Sequence, residues 1–203
     1  MSLCHSVVAP GVFELPLFTP EECHSIIDRA ERVNIWSRAN VANYFDLDQV
    51  DEELTVKGFV DLKARDAYVT GAAVIPDDVA LFESRVLDRC SQTVKNEWSI
   101  SLNEVSGTQL VKYVPGSHIR THTDSGTKFS RRVMSVVAYL NHDYEGGHLC
   151  FPSLDFQIKP LAGSAVIFPS DYPHSVRVVS AGLRYAFVTF MTIDKYPVWV
   201  ENV

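Results

Sequence analysis

The stretch GTQLVKYVPGSHIRTHTD, residues 107–124, decides the fold that the sequence predicts. It contains two strand candidates, residues 108–114 and 119–123, separated by the turn-forming pair Pro115-Gly116. Further along the chain, short apolar runs continue to alternate with turn residues. They add the strand candidates 133–141, 148–151, 156–158, 164–168, 175–179 and 184–192. Short strands without helices between them favour a jelly roll or a small barrel over a βαβ fold.

The sequence before residue 107 is richer in helical signals. Thr19 can cap a helix that begins at Pro20, and Glu22 stands three residues after the cap, so we expect a helix over residues 20–33. A second helix is predicted over residues 78–98, because an apolar stripe is formed by Val79, Phe82, Val86, Cys90 and Val94. The expected fold class is α+β, with two helices packed outside a closed or nearly closed β-sandwich.

Length and composition predict one domain. The chain has 203 residues, of which 46% are apolar and 21% charged, close to ordinary globular usage. We expect a single domain over residues 1–203, with a helical and lid part at about 1–106 and the barrel at about 107–195. Residues 36–55 have weak periodicity, and irregular segments of this length in compact domains often act as lids.

Charge and cysteine content argue against several classes of protein. A net charge of -7 and a pI near 5.4 are unfavourable for binding nucleic acid. The four cysteines include no C-x-x-C pair, which predicts reduced thiols and a cytoplasmic location. We expect no membrane partner, because no signal-peptide pattern and no membrane-spanning apolar run is visible. The sequence is compatible with a monomer or a homodimer.

Two stretches contain residues suited to binding a metal. His122 and Asp124 stand two residues apart on a predicted strand, so both side chains project from one face. His174 follows 52 residues after His122, and Arg184 comes ten residues later. Two imidazoles and one carboxylate leave three positions of an octahedral metal open, as is typical of non-haem Fe(II) oxygenases. The guanidinium of Arg184 offers a planar fork for a carboxylate.

The run from Gln109 to Met191 resembles the prolyl-4-hydroxylase-like branch of the 2-oxoglutarate- and Fe(II)-dependent dioxygenases. The matching pieces follow the order of the family. They are Tyr113-Val-Pro-Gly116, His122-x-Asp124, Val136-Val-Ala-Tyr-Leu-Asn141, Glu145-Gly-Gly-His-Leu149, Pro160-Leu-Ala-Gly163, Ile167-Phe-Pro169, His174 and Gly182-Leu-Arg-Tyr185. The resemblance implies a double-stranded β-helix core (jelly-roll, cupin-like) with flanking N-terminal helices.

The same resemblance implies roles for the matching residues. His122, Asp124 and His174 would bind Fe(II), while Arg184 and Tyr113 would hold the C5 carboxylate of 2-oxoglutarate. Family members use O2 to oxidise a C–H bond and convert 2-oxoglutarate to succinate and CO2; ascorbate is a further candidate cofactor. Related halogenases have a small residue in place of the carboxylate, so Asp124 predicts hydroxylation or another oxidation. Many close prolyl hydroxylases have lysine where this chain has Arg184, which leaves the substrate open.

A few basic residues near the metal motif are candidates for contact with the substrate. Arg120 shares the strand parity of the two motif residues, and it can point into the barrel mouth or form a salt bridge at the rim. Lys128 and Arg131 belong, with Arg132, to a basic cluster. This cluster either lies in a solvated loop or attracts a carboxylate-bearing substrate. Asn43 and Tyr44, with Trp36, are lid candidates on position alone.

Three functions remain open from the sequence. We favour a hydroxylase of a small molecule, such as a free or carrier-bound amino acid, because the chain has no extra recognition domain and has a lid candidate. The alternative is a hydroxylase of a protein side chain, most plausibly proline. A third is a non-catalytic jelly-roll binding module. Nucleic-acid demethylation is not expected, because the second arginine typical of such oxygenases, six residues after the first, is replaced by Phe190.

Overall fold

A computed structural model of the chain describes residues 5–42, 58–126, 129 and 131–193. In these residues the chain forms three α-helices, α1 (Pro20–Val33), α2 (Pro76–Arg85) and α3 (Ser91–Trp98). The π-helical turn Val86–Cys90 joins α2 to α3, and Pro152–Leu154 form a single 3-10 turn. Of the helices described, none has the length and apolar character needed to cross a membrane.

The first helix confirms the prediction, and local interactions define both of its ends. The Thr19 hydroxyl accepts a hydrogen bond from the Glu22 N–H at 3.3 Å, and the Glu22 carboxylate accepts one from the Thr19 N–H at 2.8 Å. This reciprocal capping box satisfies two donors that the first turn would leave unpaired. At the other end, Asn34 adopts the left-handed conformation and donates its N–H to the Ala30 carbonyl at 3.0 Å.

The second helix differs from the prediction in its start and its continuity. It begins at Pro76, and the π-helical turn interrupts it. The apolar stripe from Val79 to Val94 is buried as expected. Its last members are four residues apart, so on a regular helix of about 3.6 residues per turn the stripe would drift away from the sheet. A π turn contains more residues than an α-helical turn, so it compensates for the four-residue spacing and keeps the stripe facing the core.

The strands come from both halves of the chain. They are β1 (Ser6–Ala9), β2 (Val12–Pro16), β3 (Ser37–Arg38), β4 (Val41–Ala42), β5 (Gly58–Phe59), β6 (Arg65–Asp66), β7 (Tyr68–Thr70), β8 (Glu104–Tyr113), β9 (His118–His122), β10 (Arg132–Tyr139), β11 (Glu145–Gly146), β12 (Leu149–Phe151), β13 (Phe156–Ile158), β14 (Ser164–Pro169), β15 (His174–Val176), β16 (Val179–Ala181) and β17 (Arg184–Thr192).

Two antiparallel sheets face each other and form the jelly roll. Across the described residues, the larger sheet has the order β1-β2-β14-β10-β17-β8-β7-β3 and the smaller one the order β13-β12-β15-β9-β6. The short pairs β11–β16 and β4–β5 complete the strand pairing in this part of the chain. The α+β class and the double-stranded β-helix core, predicted from strand spacing and family resemblance, are confirmed.

Strand β10 separates the two main parts of the core. Met134, Val136 and Ala138 pack under the helices, whereas Val137 and Tyr139 pack between the two sheets. This alternation follows from the two-residue period of a strand. Burial of each large apolar side chain stabilises the fold by about 1.5–3 kcal/mol. The odd-numbered residues of β10 therefore face the space between the sheets, where the candidate site lies.

The N-terminal part contributes more strand structure than expected. Strands β1 and β2 extend the larger sheet, and β2 pairs with β14 in the register Phe13↔Ile167. Strand β6 pairs with β9 in the smaller sheet, and strand β7 pairs with β8 in the larger sheet. The predicted strand 175–179 is two strands, β15 and β16, and β15 begins earlier, at His174. The N-terminal part, which was expected to be mainly helical, therefore also supplies strands to both sheets.

The predicted lid is described only in part. Asn43 and Tyr44 lie outside the described residues. Trp36 is not a lid residue, because its ring packs 6.3 Å from the Tyr185 ring and 4.2 Å from the Lys112 ammonium. Tyr185 belongs to the cluster beneath the helices, on the side of the larger sheet that faces away from the smaller one. The indole therefore supports the helical layer.

Candidate metal centre

His122, Asp124 and His174 converge between the two sheets. His122 ends β9 and His174 begins β15, where the two are register partners with ring centroids 4.3 Å apart. Asp124 Oδ1 lies 3.3 Å from His122 Nε2, and Oδ2 lies 3.3 Å from His174 Nε2. Within the described residues, no other group of three His, Cys, Asp or Glu side chains brings its ligand atoms this close together.

Backbone carbonyls orient both imidazoles. His122 Nδ1 lies 2.9 Å from the carbonyl oxygen of Arg120, and His174 Nδ1 lies 2.9 Å from that of Tyr172. A carbonyl oxygen can only accept a hydrogen bond, so each Nδ1 must be the protonated donor. In a neutral ring, Nε2 then carries the lone pair. This is the tautomer in which a histidine binds a metal through Nε2.

The Asp124 carboxyl is ionised within this cluster. Burial would by itself raise its pKa, but the contacts with His122 and His174 outweigh that effect and hold the pKa well below its usual range. A carboxylate and two neutral imidazoles are the donor set of the facial arrangement that suits Fe(II). The chemistry of these three side chains therefore fits the metal that the family resemblance implies.

Arg184 is a buried cation on the larger sheet. It begins β17 opposite Tyr113 of β8 and is only 1% exposed. Its guanidinium carbon lies 4.7 Å from the Tyr113 ring centroid and 4.8 Å from the Tyr139 ring centroid. Aromatic faces attract a cation but do not neutralise it. Among the described residues, no carboxylate forms an ion pair with Arg184.

The guanidinium and the phenols beside it have hydrogen-bond donors without an acceptor among the described residues. Arg184 Nε and the hydroxyls of Tyr139 and Tyr144 are buried without a hydrogen-bond partner among the described residues. A buried donor left unpaired costs about 1–3 kcal/mol. Burial raises the pKa of both phenols, so they remain protonated donors at neutral pH. A carboxylate would accept hydrogen bonds from each of these donors and balance the charge, so the pocket fits one end of 2-oxoglutarate.

An irregularity in strand β9 turns the Arg120 side chain outward, so of the two orientations considered it does not point into the barrel mouth. The register shifts between the pairs His174↔His122 and Val176↔Ile119, so Arg120 and Thr121 together lie opposite Ser175. Such a bulge breaks the alternation of side chains, and Ile119 packs inward while Arg120 is exposed. The Arg120 carbonyl has the more direct relation to the site, as the acceptor for His122. A contact between the Arg120 side chain and a substrate stays a prediction.

The basic cluster after the motif contains a structural residue. Arg131 donates from Nε to the Ile193 carbonyl at 2.8 Å, and its Nη2 lies 3.4 Å from a Glu104 carboxylate oxygen. These contacts join the ends of β17 and β8, which favours a structural role for Arg131 over contact with a substrate. Lys128 lies outside the described residues.

Two residues of the site were missed at the level of sequence. Tyr139 lies within the matching run 136–141 and shares its parity with Val137, so its inward direction could have been inferred. Tyr144 follows β10 in a turn without periodicity, and nothing local indicates that its hydroxyl approaches Arg184. The Tyr113 ring lies beside the Arg184 guanidinium, and contact of Tyr113 with the co-substrate carboxylate stays a prediction.

Comparison with known proteins agrees with this geometry. Residues 108–192 match the family model of the 2OG-Fe(II) oxygenase superfamily. A PKHD-type hydroxylase from Crocosphaera subtropica is 29% identical over 119 residues, which are 55% of this chain and 54% of that protein. Human prolyl 3-hydroxylase 1 is 36% identical over 73 residues, 32% of this chain and 10% of that protein. The chain spans about half or less of the length of the curated relatives it matches.

A solved structure extends the comparison to the whole fold. It is a prolyl hydroxylase from Trichoplax adhaerens in complex with a hypoxia inducible factor oxygen degradation domain peptide fragment. It aligns with a TM-score of 0.70 at 16% identity, covering 90% of this chain and 83% of that one. At this identity the likeness concerns the fold alone.

Fold and site together define a class of protein, namely a double-stranded β-helix with two histidines and one carboxylate clustered between its sheets. The family match then makes the identification specific. Residues 108–192 match the 2OG-Fe(II) oxygenase superfamily, and the similar proteins include a PKHD-type hydroxylase and prolyl 3-hydroxylase 1.

Proposed function

We propose that this protein is an Fe(II)- and 2-oxoglutarate-dependent oxygenase that hydroxylates an unactivated C–H bond. The observation that supports it most strongly is the presence, between the same two sheets, of a three-ligand cluster and a buried arginine that has no acidic partner among the described residues. A binding module without chemistry would gain nothing from unpaired buried donors, each of which lowers stability when nothing is bound.

In this proposal His122, Asp124 and His174 hold the iron. Bound Fe(II) would supply the activation of O2, coupled to the conversion of 2-oxoglutarate to succinate and CO2. The protein's own contribution is to present one carboxylate oxygen and two Nε2 atoms from one side of the metal. The Arg120 and Tyr172 carbonyls hold each Nδ1 as a hydrogen-bond donor, which leaves Nε2 of each ring as the nitrogen that would bind the metal.

Arg184 would anchor the distal carboxylate of 2-oxoglutarate. Tyr139 and Tyr144 would each donate a hydrogen bond to it, and the Tyr113 ring would line the pocket on the other side of the guanidinium. This pocket favours a dicarboxylate co-substrate, because a ligand without the second carboxylate would leave the cation and both phenols buried and unpaired. Selection of 2-oxoglutarate over a monocarboxylic keto acid follows from that difference.

For the substrate that is oxidised, we propose a small molecule, such as a free or carrier-bound amino acid. A prolyl residue in a peptide is the second candidate. The names of the relatives favour it, since prolyl hydroxylases appear among both the related sequences and the similar folds. Both candidates use the same metal centre and co-substrate pocket, so they differ only in what lies at the mouth of the barrel.

Succinate formation tests the proposal and separates the two candidates. The purified protein is supplied with Fe(II), 2-oxoglutarate and O2, with and without ascorbate, over a panel of free amino acids and proline-rich peptides. We expect succinate to rise with free amino acids, and His174→Ala to abolish it. Turnover of peptides alone would assign the second candidate. Absence of succinate throughout, together with absence of Fe(II) binding, would contradict the oxygenase assignment itself.

A further inference from the structure

Two buried hydroxyl groups form a chain that ends on the Asp124 carboxylate. Ser135 Oγ donates to Asp124 Oδ2 at 2.7 Å, and Ser170 Oγ lies 3.0 Å from Ser135 Oγ. Ser135 has one hydroxyl proton, which the carboxylate receives, so Ser170 must donate to Ser135. Both serines are 0% exposed. The carboxylate is thus held from behind by a two-link hydrogen-bond chain that water does not reach.

The chain connects the two sheets at the metal centre. Ser135 lies on the inward face of β10 in the larger sheet, whereas Asp124 follows β9 of the smaller sheet. The backbone of Asp124 is fixed separately. Its N–H donates to the Ser170 carbonyl at 2.8 Å, and its own carbonyl accepts from Arg132 Nη1 at 3.3 Å. Loss of the Ser135 hydroxyl would leave these backbone bonds in place and free only the rotation of the carboxylate.

From this arrangement we propose that Ser135 is a positioning residue for the metal centre. Its hydroxyl fixes the rotation of the Asp124 carboxylate and thereby raises the affinity of the three ligands for a divalent cation. The inference rests on the proposed function, because it assumes that the cluster binds a metal. The competing explanation is that Ser135 is a satisfied polar group whose loss lowers stability and nothing else. Metal affinity separates the two, because only a positioning role changes it.

The test is a titration with Mn(II) alone, in which electron paramagnetic resonance measures the free ion. Ser135→Ala removes the donor, Ser135→Cys replaces it with a weaker one of similar shape, and Ser135→Thr retains the hydroxyl. Loss of a group that orients a metal ligand typically lowers affinity by about 10–100-fold. We expect a loss of that size for Ser135→Ala, a smaller loss for Ser135→Cys, and near wild-type affinity for Ser135→Thr.

Thr189→Val provides the matched control. Thr189 is 0% exposed and pairs with Val136, so it lies on the face of the larger sheet that packs under the helices. Its hydroxyl lies 2.8 Å from that of Thr108 and donates to the Ser106 carbonyl at 3.2 Å. The variant therefore removes an equally buried hydroxyl from the same sheet without touching the metal centre. We expect a lower melting midpoint for the metal-free protein and an unchanged affinity for Mn(II).

The possible outcomes distinguish this inference from the proposed function. If wild-type protein binds Mn(II) and Ser135→Ala binds it equally well, the positioning role is refuted while the metal centre stands. If Ser135→Ala does not fold, unchanged affinity in Ser135→Cys refutes it in the same way. If the wild-type protein itself fails to bind Mn(II) and Fe(II), the proposed function fails first. Weaker binding in Ser135→Ala but not in Thr189→Val supports the positioning role.

Discussion

Arg184 and Tyr185 are neighbours in sequence but lie on opposite faces of the larger sheet. Arg184 points between the sheets, against the rings of Tyr113 and Tyr139. Tyr185 points under the helices, where its hydroxyl donates to Glu31 at 3.0 Å. Strand β17 therefore supplies one residue of the candidate site, Arg184, and one buried residue outside the site, Tyr185. Substitutions at the two positions separate binding of the co-substrate from packing.

Arg184→Gln is expected to weaken binding of 2-oxoglutarate while the protein still binds metal. The change removes the buried cation that faces the distal carboxylate. Truncating one partner of a buried charge pair costs about 2–5 kcal/mol, which corresponds to a loss of about 30-fold or more in affinity. Calorimetric titration of 2-oxoglutarate into the Mn(II)-loaded protein measures the effect. Unchanged affinity would remove Arg184 from the proposed site.

Tyr139→Phe and Tyr144→Phe should each lower the affinity for 2-oxoglutarate. Each variant loses one hydrogen bond to a carboxylate, worth about 1.5–3 kcal/mol, or roughly tenfold and above in affinity. Neither should markedly destabilise the ligand-free protein, because each removes a buried hydroxyl without a hydrogen-bond partner in the described part of the chain. Tyr185→Phe is the control. It loses the bond to Glu31, so we expect lower stability but normal co-substrate affinity.

Gly147→Ala is expected to disturb the arginine pocket through contact rather than charge. A Cβ at this position would lie 3.1 Å from Arg184 Cδ and 3.0 Å from a Tyr144 ring carbon, and φ is +60°. We expect weaker 2-oxoglutarate binding together with a loss of stability. Gly116→Ala serves as the comparison, since φ is +94° but no atom of the described residues lies within 4 Å of the added Cβ. That variant should lose about 1 kcal/mol of stability or more and retain its affinity for 2-oxoglutarate.

The ion pair of Glu22 with Arg85 predicts a pH-dependent contribution to stability. The hydrogen bond from Arg85 and the backbone N–H of Thr19 lower the pKa of Glu22 to about 2 from 4.5. A lowered folded-state pKa stabilises the protein fully above about pH 4.5, and this contribution disappears as the pH falls through about 2. Because the pair is partly exposed, its contribution is below about 1 kcal/mol.

Glu22→Gln isolates this ion pair because glutamine can still complete the capping box. The free energy of unfolding, measured with denaturant, should be lower than that of the wild type near neutral pH. The difference between the two proteins should shrink as the pH falls to about 2 and vanish below it, where the wild-type carboxyl is protonated. An equal difference at both pH values would mean that the substitution acts through packing.

Features encoded by a few neighbouring residues were predicted well. Neighbouring residues determine both ends of the first helix, through the Thr19–Glu22 capping box and the turn at Asn34. The cluster of His122, Asp124 and His174 was predicted because metal chemistry restricts residue type and spacing even when the ligands are far apart in sequence. Those restrictions hold before the fold is known.

Features that depend on distant contacts and carry no such chemical restriction were not predicted. The bulge in β9, which turns Arg120 outward, arises from pairing with β15 and leaves no mark on the sequence of β9 alone. The roles of Tyr144 and Ser135 depend on other strands, which bring Arg184 beside Tyr144 and Asp124 beside Ser135. Strand β2 (Val12–Pro16) was not predicted, because a short strand is specified mainly by its partner, here β14.

Anaerobic visible absorption tests the central claim most directly. Fe(II) and 2-oxoglutarate are added to the wild-type protein and to His174→Ala, and the weak charge-transfer band of an iron-chelated keto acid is sought. We predict the band in the wild-type protein, its loss in His174→Ala, and its recovery in Arg184→Gln only at higher 2-oxoglutarate concentration. A wild-type protein that gives no band at saturating Fe(II) and 2-oxoglutarate would contradict the assignment of His122, Asp124 and His174 as an iron centre.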